Sequence, residues 1–268
     1  MFFLNGTYDE VLESGVGLLR GGLPMDSYMV FLGSIPTVAD CLAAMKRVIF
    51  EEKRYSVAAL KTALEANFDG YEEMRQHLLS APKFGNDIDE VDGIAARLVA
   101  DCCNYIDAYR AKEKFPVFPA LIGWLFLQEA YSILATPDGR KRKEPIAEHY
   151  CATPGKAVRG VTALINSIAK APLSRALGVA ATHLSLPRNF AGSMEDGISI
   201  LRVLNQVCLE KGLMEFNIAI YDADTLRDAQ EHPDRHRDLI VRVWGFCARF
   251  IDLSREMQDH VLRRILTS

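Results

Sequence analysis

The sequence has no apolar run long enough to span a bilayer, and its first residues, MFFLNGTYDE, lack the basic segment and cleavage site of a signal peptide. It also has no excess of basic residues, because 31 Lys and Arg stand against 35 Asp and Glu, for a formal net charge of -4. Nucleic-acid surfaces need clustered Lys and Arg. These absences predict a cytoplasmic protein that binds neither membranes nor nucleic acid.

The cysteines show no C-x-x-C spacing, which argues against a zinc or dithiol motif. Most lie within apolar helical patterns, so the sequence predicts reduced and mostly buried thiols. The adjacent pair Cys102 and Cys103 is a candidate for redox or radical relay chemistry. Because both lie in the middle of a predicted helix, we expect at least one of them to pack in the core instead. The six cysteines are Cys41, Cys102, Cys103, Cys151, Cys208 and Cys247.

The local motifs of several common sites are also missing. There is no G-x-S-x-G nucleophile motif, no G-x-x-x-x-G-K phosphate loop and no G-x-G-x-x-G after a strand. His232 and His236 have the spacing of two metal ligands on one helix face, but Pro233 disturbs that helix and no third ligand is near. We therefore predict no bound metal. The basic cluster GRKRK at residues 139–143 is predicted to be a solvated loop.

The spacing of apolar residues predicts a different secondary structure for each half of the chain. The first half has helical patterns with Thr37 and Ser56 as caps, and the second half alternates helical patterns with short runs of strand length. This alternation predicts an α/β fold, and the long connection at 136–156 is of a kind that is usually functional or mobile. The predicted helices are 35–54, 56–68, 71–81, 89–112, 157–170, 194–211, 223–231 and 254–266, and the predicted strands are 121–127, 178–186, 216–222 and 239–246.

A lone glycine, Gly245, stands in the bulky apolar run VRVWGFCARF at residues 241–250. Glycine costs backbone entropy in a strand and leaves a gap in the packing, so one explanation is a bend at a strand end. The other is chemical, because a glycine Cα between two amides can hold an unpaired electron that delocalises into both, and a Cβ would crowd the planar centre. In that case, Val243, Trp244 and Phe246 are expected to shield the centre from water and oxygen.

Five segments of the chain carry recognisable motifs in a fixed order. They are LEANFDGYEEMRQHLLSAPKFGNDIDEVD (64–92), TPDGRKRKEPIAE (136–148), FNIAIYDADTLRDAQEHPDRHRDL (216–239), DLIVRVWGFCARF (238–250) and LSREMQDHVLRRI (253–265). Together they resemble the glycyl radical enzymes, a family that includes pyruvate formate-lyase and related dehydratases and lyases. The fourth segment resembles the radical-bearing signature R-V-x-G-[YF] of that family and places Gly245 at its glycine. The resemblance covers about residues 35–268.

The resemblance implies a fold and a domain division. The fold class it implies is α/β, the C-terminal part of a ten-stranded α/β barrel of the glycyl radical enzyme type with a helix-rich N-terminal half. Residues 1–127 are expected to form the C-terminal part of the pyruvate formate-lyase-like barrel domain and to be mostly helical. Residues 128–268 are expected to form the glycine radical domain.

The resemblance also implies a mechanism for an anaerobic lyase or acyltransferase. An activating enzyme of the radical S-adenosylmethionine class would remove a hydrogen from Gly245, which would store the radical, and no bound organic cofactor is expected. A cysteine on an N-terminal portion that this chain lacks would use the radical to take hydrogen from a small substrate, so the chain alone is expected to be inactive. The NFDGYEE and PKFGND motifs look closer to the dehydratase and lyase branch, while Arg142, Lys143 and Glu215 depart from the family pattern and leave the substrate open.

Two other classes of function remain as alternatives. One is a non-catalytic partner that carries a radical domain and restores a glycyl radical enzyme damaged by oxygen, although residues 35–125 exceed what such a part needs. The other is a binding or scaffold protein that has kept the fold and lost the chemistry, against which the intact R-V-x-G-F motif argues.

Overall fold

A computed structural model describes residues 2–23, 27–113, 116–123, 126–243 and 245–265. The helices are α1 (Phe2–Asn5), α2 (Asp9–Ser14), α3 (Ile35–Ala44), α4 (Val57–Glu65), α5 (Glu72–Leu79), α6 (Asp89–Glu113), α7 (Phe126–Ser132), α8 (Gly160–Ala169), α9 (Met194–Glu210), α10 (Ala223–Glu231) and α11 (Arg255–Arg263). The strands are β1 (Tyr28–Phe31), β2 (Val117–Leu121), β3 (Val179–Pro187), β4 (Glu215–Tyr221), β5 (Ile240–Arg242) and β6 (Cys247–Arg249).

Helices dominate the first half, as the periodicity predicts. The Ser56 side chain caps α4 by accepting a hydrogen bond from the backbone N–H of Ala59 at 3.1 Å. Thr37 was expected to be a cap as well, but α3 begins at Ile35 and the Thr37 hydroxyl is buried in its first turn. The predicted helix 35–54 is regular only as far as Ala44 and continues as a π-helical segment over Met45–Glu51.

Four parallel strands form a sheet in the order β1-β2-β3-β4, and helices connect them. The structure confirms the α/β fold class and the predicted strands that correspond to β3 and β4. The prediction of a strand at 121–127 is wrong, because β2 ends at Leu121 and α7 begins at Phe126. Strand β1 was not predicted, since four residues are too few to show a period of two.

The run at 239–246 was predicted to be one strand, and that prediction is also wrong. It contains only β5, which ends at Arg242 and pairs antiparallel with β6 so that Arg242 lies opposite Cys247. The two short strands form a hairpin whose turn carries Gly245. Hairpins are made by local pairing across a turn, which a count of apolar residues does not reveal.

The connection at 136–156 contains neither helix nor strand, yet most of it is buried. Gly139 and Arg140 are buried, while Arg142 and Lys143 are exposed, so the prediction that GRKRK is a solvated loop is wrong for its first residues. The reason is that the Arg140 guanidinium donates to loop carbonyls, among them those of Leu134 at 2.7 Å and Glu144 at 2.6 Å. In the described residues, no helix has the length and apolar character needed to cross a membrane.

The ends of β1 and β2 approach each other at two glycines, and this contact generates a stability prediction. A Cβ built on Gly123 would lie 2.9 Å from the Cα of Gly33, so Gly123→Ala should lower the free energy of unfolding by about 1–3 kcal/mol. Gly93→Ala is the matched control, because Gly93 lies within α6 with open space around it and should gain up to about 1 kcal/mol. Urea unfolding midpoints measure both effects, and equal midpoints for the two variants would contradict the packing described here.

Candidate functional site

Gly245 lies in the turn that joins β5 to β6. The backbone N–H of Val243 donates to the carbonyl oxygen of Phe246 at 3.0 Å, which closes the turn just beyond the last strand pair. No heavy atom of the described residues, apart from its chain neighbours, lies within 4 Å of the position that a Cβ on Gly245 would occupy. The Cα of this glycine is therefore accessible, and nothing in this part of the chain crowds it.

The expectation that its apolar neighbours shield Gly245 is wrong for this chain. Gly245 is exposed and the Phe246 side chain is 50% exposed, whereas Val243 is buried. Trp244 lies outside the described residues. The physical reason is that no described part of the chain beyond the turn packs over Gly245, so nothing lies within 4 Å of the position of its Cβ. Any dry enclosure for Gly245 must come from atoms outside the described chain.

The base of the turn, by contrast, is held firmly by the residue after α11. The Arg264 guanidinium donates from Nη1 to the carbonyl oxygen of Val243 and from Nη2 to that of Arg242, both at 2.8 Å. The Tyr221 hydroxyl, at the end of β4, donates to the same Arg242 carbonyl at 3.0 Å and accepts from the Arg242 N–H at 3.2 Å. Side-chain donors thus fix the residues that lead into the turn.

Arg264 belongs to a buried group of charged and aromatic side chains, which we call the Glu148 cluster. The Glu148 carboxylate accepts from Arg264 Nη1 at 3.3 Å and faces Nε2 of His260 at 2.9 Å. The rings of His149 and His183 stack at 4.9 Å, and each has its Nε2 within 3.9 Å of Glu148. The cluster comprises Glu148, His149, His183, His260 and Arg264, and it joins the 136–156 connection to β3, α11 and the hairpin.

The charges in the Glu148 cluster follow from burial and pairing. Burial alone would raise the pKa of Glu148, but the hydrogen bond to His260 and the positive charge of Arg264 outweigh it and lower this pKa to about 2. Burial lowers the pKa of His183 to about 4 and also lowers the pKa values of His149 and His260. At neutral pH, the cluster therefore contains one carboxylate, one guanidinium and three neutral imidazoles.

Glu148, His149 and His183 also have their ligand atoms within 4.8 Å of one another, which is the spacing of a metal site. Two features disfavour a cation there. The Arg264 guanidinium already pairs with the Glu148 carboxylate, and its positive charge would repel a metal cation bound beside it. In addition, Nδ1 of His149 accepts from the Gly123 N–H at 3.3 Å, so the proton of this neutral ring lies on Nε2, the nitrogen that a metal would need.

Cys151 lies beside the cluster and is a structural thiol. Its sulfur donates to the His183 carbonyl oxygen at 3.2 Å and accepts from the His183 N–H at 3.1 Å, which ties the connection to β3. Burial raises the pKa of Cys151 to about 12, so the thiolate is not formed at neutral pH. Cys151 is consequently a poor nucleophile.

The first two motif segments, 64–92 and 136–148, are brought together around this connection. The Asn86 amide nitrogen donates to the Lys156 carbonyl at 2.8 Å, and its oxygen accepts from the Val158 N–H at 2.8 Å. The Asn67 amide oxygen accepts from the Arg142 N–H at 2.7 Å. Phe84 packs edge-on against Tyr150 with ring centroids 5.4 Å apart. These segments shape the connection that carries Glu148.

The other candidates from the sequence lie elsewhere. Cys103 is buried in α6 and Cys102 is partly buried, and burial raises the pKa of both thiols, as expected for packing residues. His232 and His236 both face Asp228 at the end of α10. Among the described residues, they are not part of a three-ligand group.

Sequence reasoning missed the roles of Glu148, Tyr221, His260 and Arg264. Glu148 closes the TPDGRKRKEPIAE motif, Tyr221 is the second-to-last residue of FNIAIYD, and His260 and Arg264 both lie within the last predicted helix, 254–266. The only signal was their place within motif segments. Their meeting depends on the tertiary fold, because Glu148 and Arg264 are 116 residues apart in sequence.

These pKa shifts generate a prediction for stability against pH. The unfolded chain takes up protons at His183 near its ordinary pKa of 6.5 while the folded chain does so near 4, so stability should fall as the pH falls from 6.5 to 4. Glu148 should extend the loss, because its folded pKa is about 2 against an ordinary value of 4.5. His183→Gln should remove this loss of stability between pH 6.5 and 4, which amounts to about 3 kcal/mol at about 1.4 kcal/mol per pKa unit.

Glu148→Gln should instead remove the loss of stability between pH 4.5 and 2. Its overall free energy of unfolding should be lower, because Arg264 loses its charged partner. His232→Gln, which removes a half-exposed histidine, is the control. Denaturant unfolding at a series of pH values measures each slope. Identical slopes in His183→Gln and the unaltered chain would contradict this description of the cluster.

Two family models match the chain side by side. Residues 1–123 match the family described as pyruvate formate lyase-like, and residues 146–251 match the glycine radical family. The second match contains both Glu148 and Gly245. Between them, the two matches leave residues 124–145, which include α7 and the first part of the buried connection, and residues 252–268 unmatched.

Curated relatives agree with these matches. The chain is 32% identical over 271 residues to a probable dehydratase of Escherichia coli (strain K12), covering 96% of this chain and 33% of the relative. It is 28% identical to the (2S)-3-sulfopropanediol dehydratase of Klebsiella oxytoca, with 98% of this chain and 32% of that protein covered. The isethionate sulfite-lyase of Bilophila wadsworthia is 31% identical, with 88% and 29% covered. The chain spans about a third of the length of the curated relatives it matches.

Solved structures give the same result. The glycerol-bound B12-independent glycerol dehydratase from Clostridium butyricum superposes with a TM-score of 0.89 at 29% identity, covering 98% of this chain and 34% of that one. A glycyl radical enzyme from Archaeoglobus fulgidus superposes with a TM-score of 0.86 at 30% identity, covering 98% and 34%. With both family regions, the relatives and the fold in agreement, the chain belongs to the glycyl radical enzyme family.

Proposed function

We propose that this chain is the radical-bearing portion of an anaerobic glycyl radical enzyme of the dehydratase or lyase branch, and that Gly245 stores the radical. The observation that carries the proposal is the place of Gly245, in an exposed turn within the region matched to the glycine radical family. A glycine that is exposed and has open space in the direction of a Cβ suits the removal of a hydrogen atom by a second protein.

The chemistry needs only the backbone of Gly245. An activating enzyme of the radical S-adenosylmethionine class would take one hydrogen atom from its Cα, and the remaining electron would delocalise over the two flanking amides. A thiol on a separate portion would then return a hydrogen atom to Gly245 and become a thiyl radical. The thiyl would take a hydrogen atom from the substrate and receive one back after the reaction, which restores the thiol.

The exposure of Gly245 supports a division of labour between this chain and a second portion. A carbon radical in contact with water and oxygen is lost, so productive storage needs a partner surface that covers the turn. We propose that the cysteine-bearing portion supplies both this cover and the substrate cavity, and that the chain alone has no turnover. Acyl transfer, the reaction of pyruvate formate-lyase, is less well supported than a dehydratase or lyase reaction, because the relatives named above are dehydratases and lyases.

The domain division follows the same proposal. We propose that residues 1–127 belong to the pyruvate formate-lyase-like barrel domain and residues 128–268 to the glycine radical domain. The match of residues 1–123 to the pyruvate formate lyase-like family also favours an enzyme portion over a small replacement part for a damaged enzyme. A replacement part would need the glycine radical region alone.

The radical assignment is tested by electron paramagnetic resonance after anaerobic incubation with an activating enzyme of this class. The unaltered chain should give a doublet, because a single hydrogen remains on the Cα that carries the spin. Gly245→Ala should give no doublet, since a Cβ crowds the flanking amides in the planar centre and takes the place of the hydrogen that splits the signal. Gly212→Ala is the matched control, and it should keep the doublet because Gly212 lies in a different turn. A doublet that persists in Gly245→Ala would refute the assignment.

Exposure to oxygen gives an independent chemical test. Oxygen should add to the radical carbon and break the backbone near Gly245, which releases a short C-terminal peptide that mass spectrometry can detect. The unactivated chain should survive air without cleavage. Cleavage at another glycine would place the radical elsewhere.

A further inference from the structure

Two consecutive backbone carbonyls at the base of the Gly245 turn accept from one guanidinium. Consecutive carbonyls of an extended strand point in opposite directions, so a single planar group that binds both marks the point where the backbone leaves the strand. Arg264 binds the carbonyls of Arg242 and Val243 at 2.8 Å each, immediately before the turn. The fork of a guanidinium suits this task, because its donors are fixed relative to one another.

Arg264 is itself held in place by burial, by Glu148 and by the backbone next to it. Its side chain is only 7% exposed, and Nη1 also lies 3.3 Å from both oxygens of Glu148, whose side chain is 3% exposed. Glu148 is paired in turn with His260 at 2.9 Å. The next residue, Ile265, forms a parallel bridge with Ser185 of β3, so the backbone beside Arg264 is anchored to the sheet.

Besides Arg264, the Tyr221 hydroxyl holds Arg242, and the Val243 N–H donates to the Phe246 carbonyl across the turn. The Cα of Gly245 has open space around it, and the strands on either side are three residues each. β5 and β6 form a two-stranded sheet of their own, and short hairpins of this kind open easily when little else holds them. The orientation of Gly245 therefore depends on what fixes Arg242 and Val243. Arg264 binds the carbonyls of both residues, whereas Tyr221 binds Arg242 alone.

We propose that Arg264 is a positioning residue for the Gly245 turn, holding the two carbonyls before it so that the glycine Cα faces the reacting partner at a fixed angle. The effect on radical chemistry rests on the proposed function, whereas the effect on the turn does not. Lysine is the informative replacement, because an ammonium keeps the charge opposite Glu148 but cannot present a planar fork to two carbonyls.

Amide hydrogen exchange, read by mass spectrometry on peptides, tests the positioning role directly. Arg264→Lys should speed exchange in residues 240–249 by about tenfold, the equivalent of one lost charge-assisted hydrogen bond, and leave β3 and β4 within about twofold. Arg263→Lys is the matched control, because Arg263 is the exposed neighbour of Arg264 and should change neither region. Unchanged exchange in 240–249 would overturn the proposal, and so would an equal rise across β3 and β4, which indicates a general loss of stability.

A second variant covers the case in which Arg264→Lys does not fold. Glu148→Gln combined with Arg264→Met removes both charges, so no buried charge is left without a partner. The two carbonyls then lose the guanidinium, although the Arg242 carbonyl keeps its hydrogen bond from Tyr221, and the same local rise in exchange is expected. A double variant whose 240–249 exchange matches that of the unaltered chain would overturn the proposal.

Radical yield separates this inference from the proposed function. After equal activation, Arg264→Lys should carry severalfold fewer spins per chain than Arg263→Lys. The loss should occur only in variants whose residues 240–249 exchange faster than those of the unaltered chain. If the unaltered chain forms no glycine radical, the proposed function fails, and the exchange data still decide whether Arg264 holds the turn. If Arg264→Lys and Arg263→Lys carry equal spins, the catalytic consequence of positioning is refuted.

Discussion

The buried ion pair between Glu148 and Arg264 is the interaction on which the arrangement around Gly245 depends. Taking two charges out of water is costly, and the cost is offset only where each charge has several partners. Here the carboxylate is paired with Arg264 and His260, and the guanidinium binds two backbone carbonyls as well. The pair joins the buried connection to the C-terminal segment and to the base of the hairpin, so removing either charge disturbs all three.

The motif segments that lie far from Gly245 share one structural role, which is to support the buried connection that carries Glu148. Asn86 and Arg140 contribute to a connection that has no regular hydrogen-bonding pattern of its own, by satisfying backbone groups that burial would otherwise leave unpaired. Such polar side chains are what allow an irregular segment to be buried. The connection in turn places Glu148 against Arg264. The segments far from Gly245 in sequence thus contribute to its setting through a chain of contacts rather than by touching it.

Many of the helices and strands could be predicted from the sequence, because the spacing of apolar residues within each element identifies it. The four-residue spacing of Val91, Ala95 and Val99 predicts α6, and the apolar runs of β3 and β4 are long enough to identify. The β5–β6 hairpin has strands of three residues, which are too short to show a periodic pattern, and the four-residue β1 and the burial of the connection depend on pairing and packing between distant parts of the chain. For the same reason, Gly245 could be singled out from its motif while its exposure and its link to Arg264 could not. Shielding was inferred from apolar neighbours in sequence, but the space around a turn is filled by distant atoms, and the described chain supplies none there.

The central claim is that the Cα of Gly245 carries the unpaired electron, and isotopic substitution at glycine tests it most directly. The account predicts that protein labelled with 2-deuterated glycine, activated under anaerobic conditions, shows an electron paramagnetic resonance signal whose doublet has collapsed to a single line, because deuterium couples to the electron far more weakly than hydrogen does. The same labelling in Gly245→Ala should yield no line at all. A doublet that keeps its splitting after deuteration would contradict the account, since the spin would then reside on a residue other than glycine.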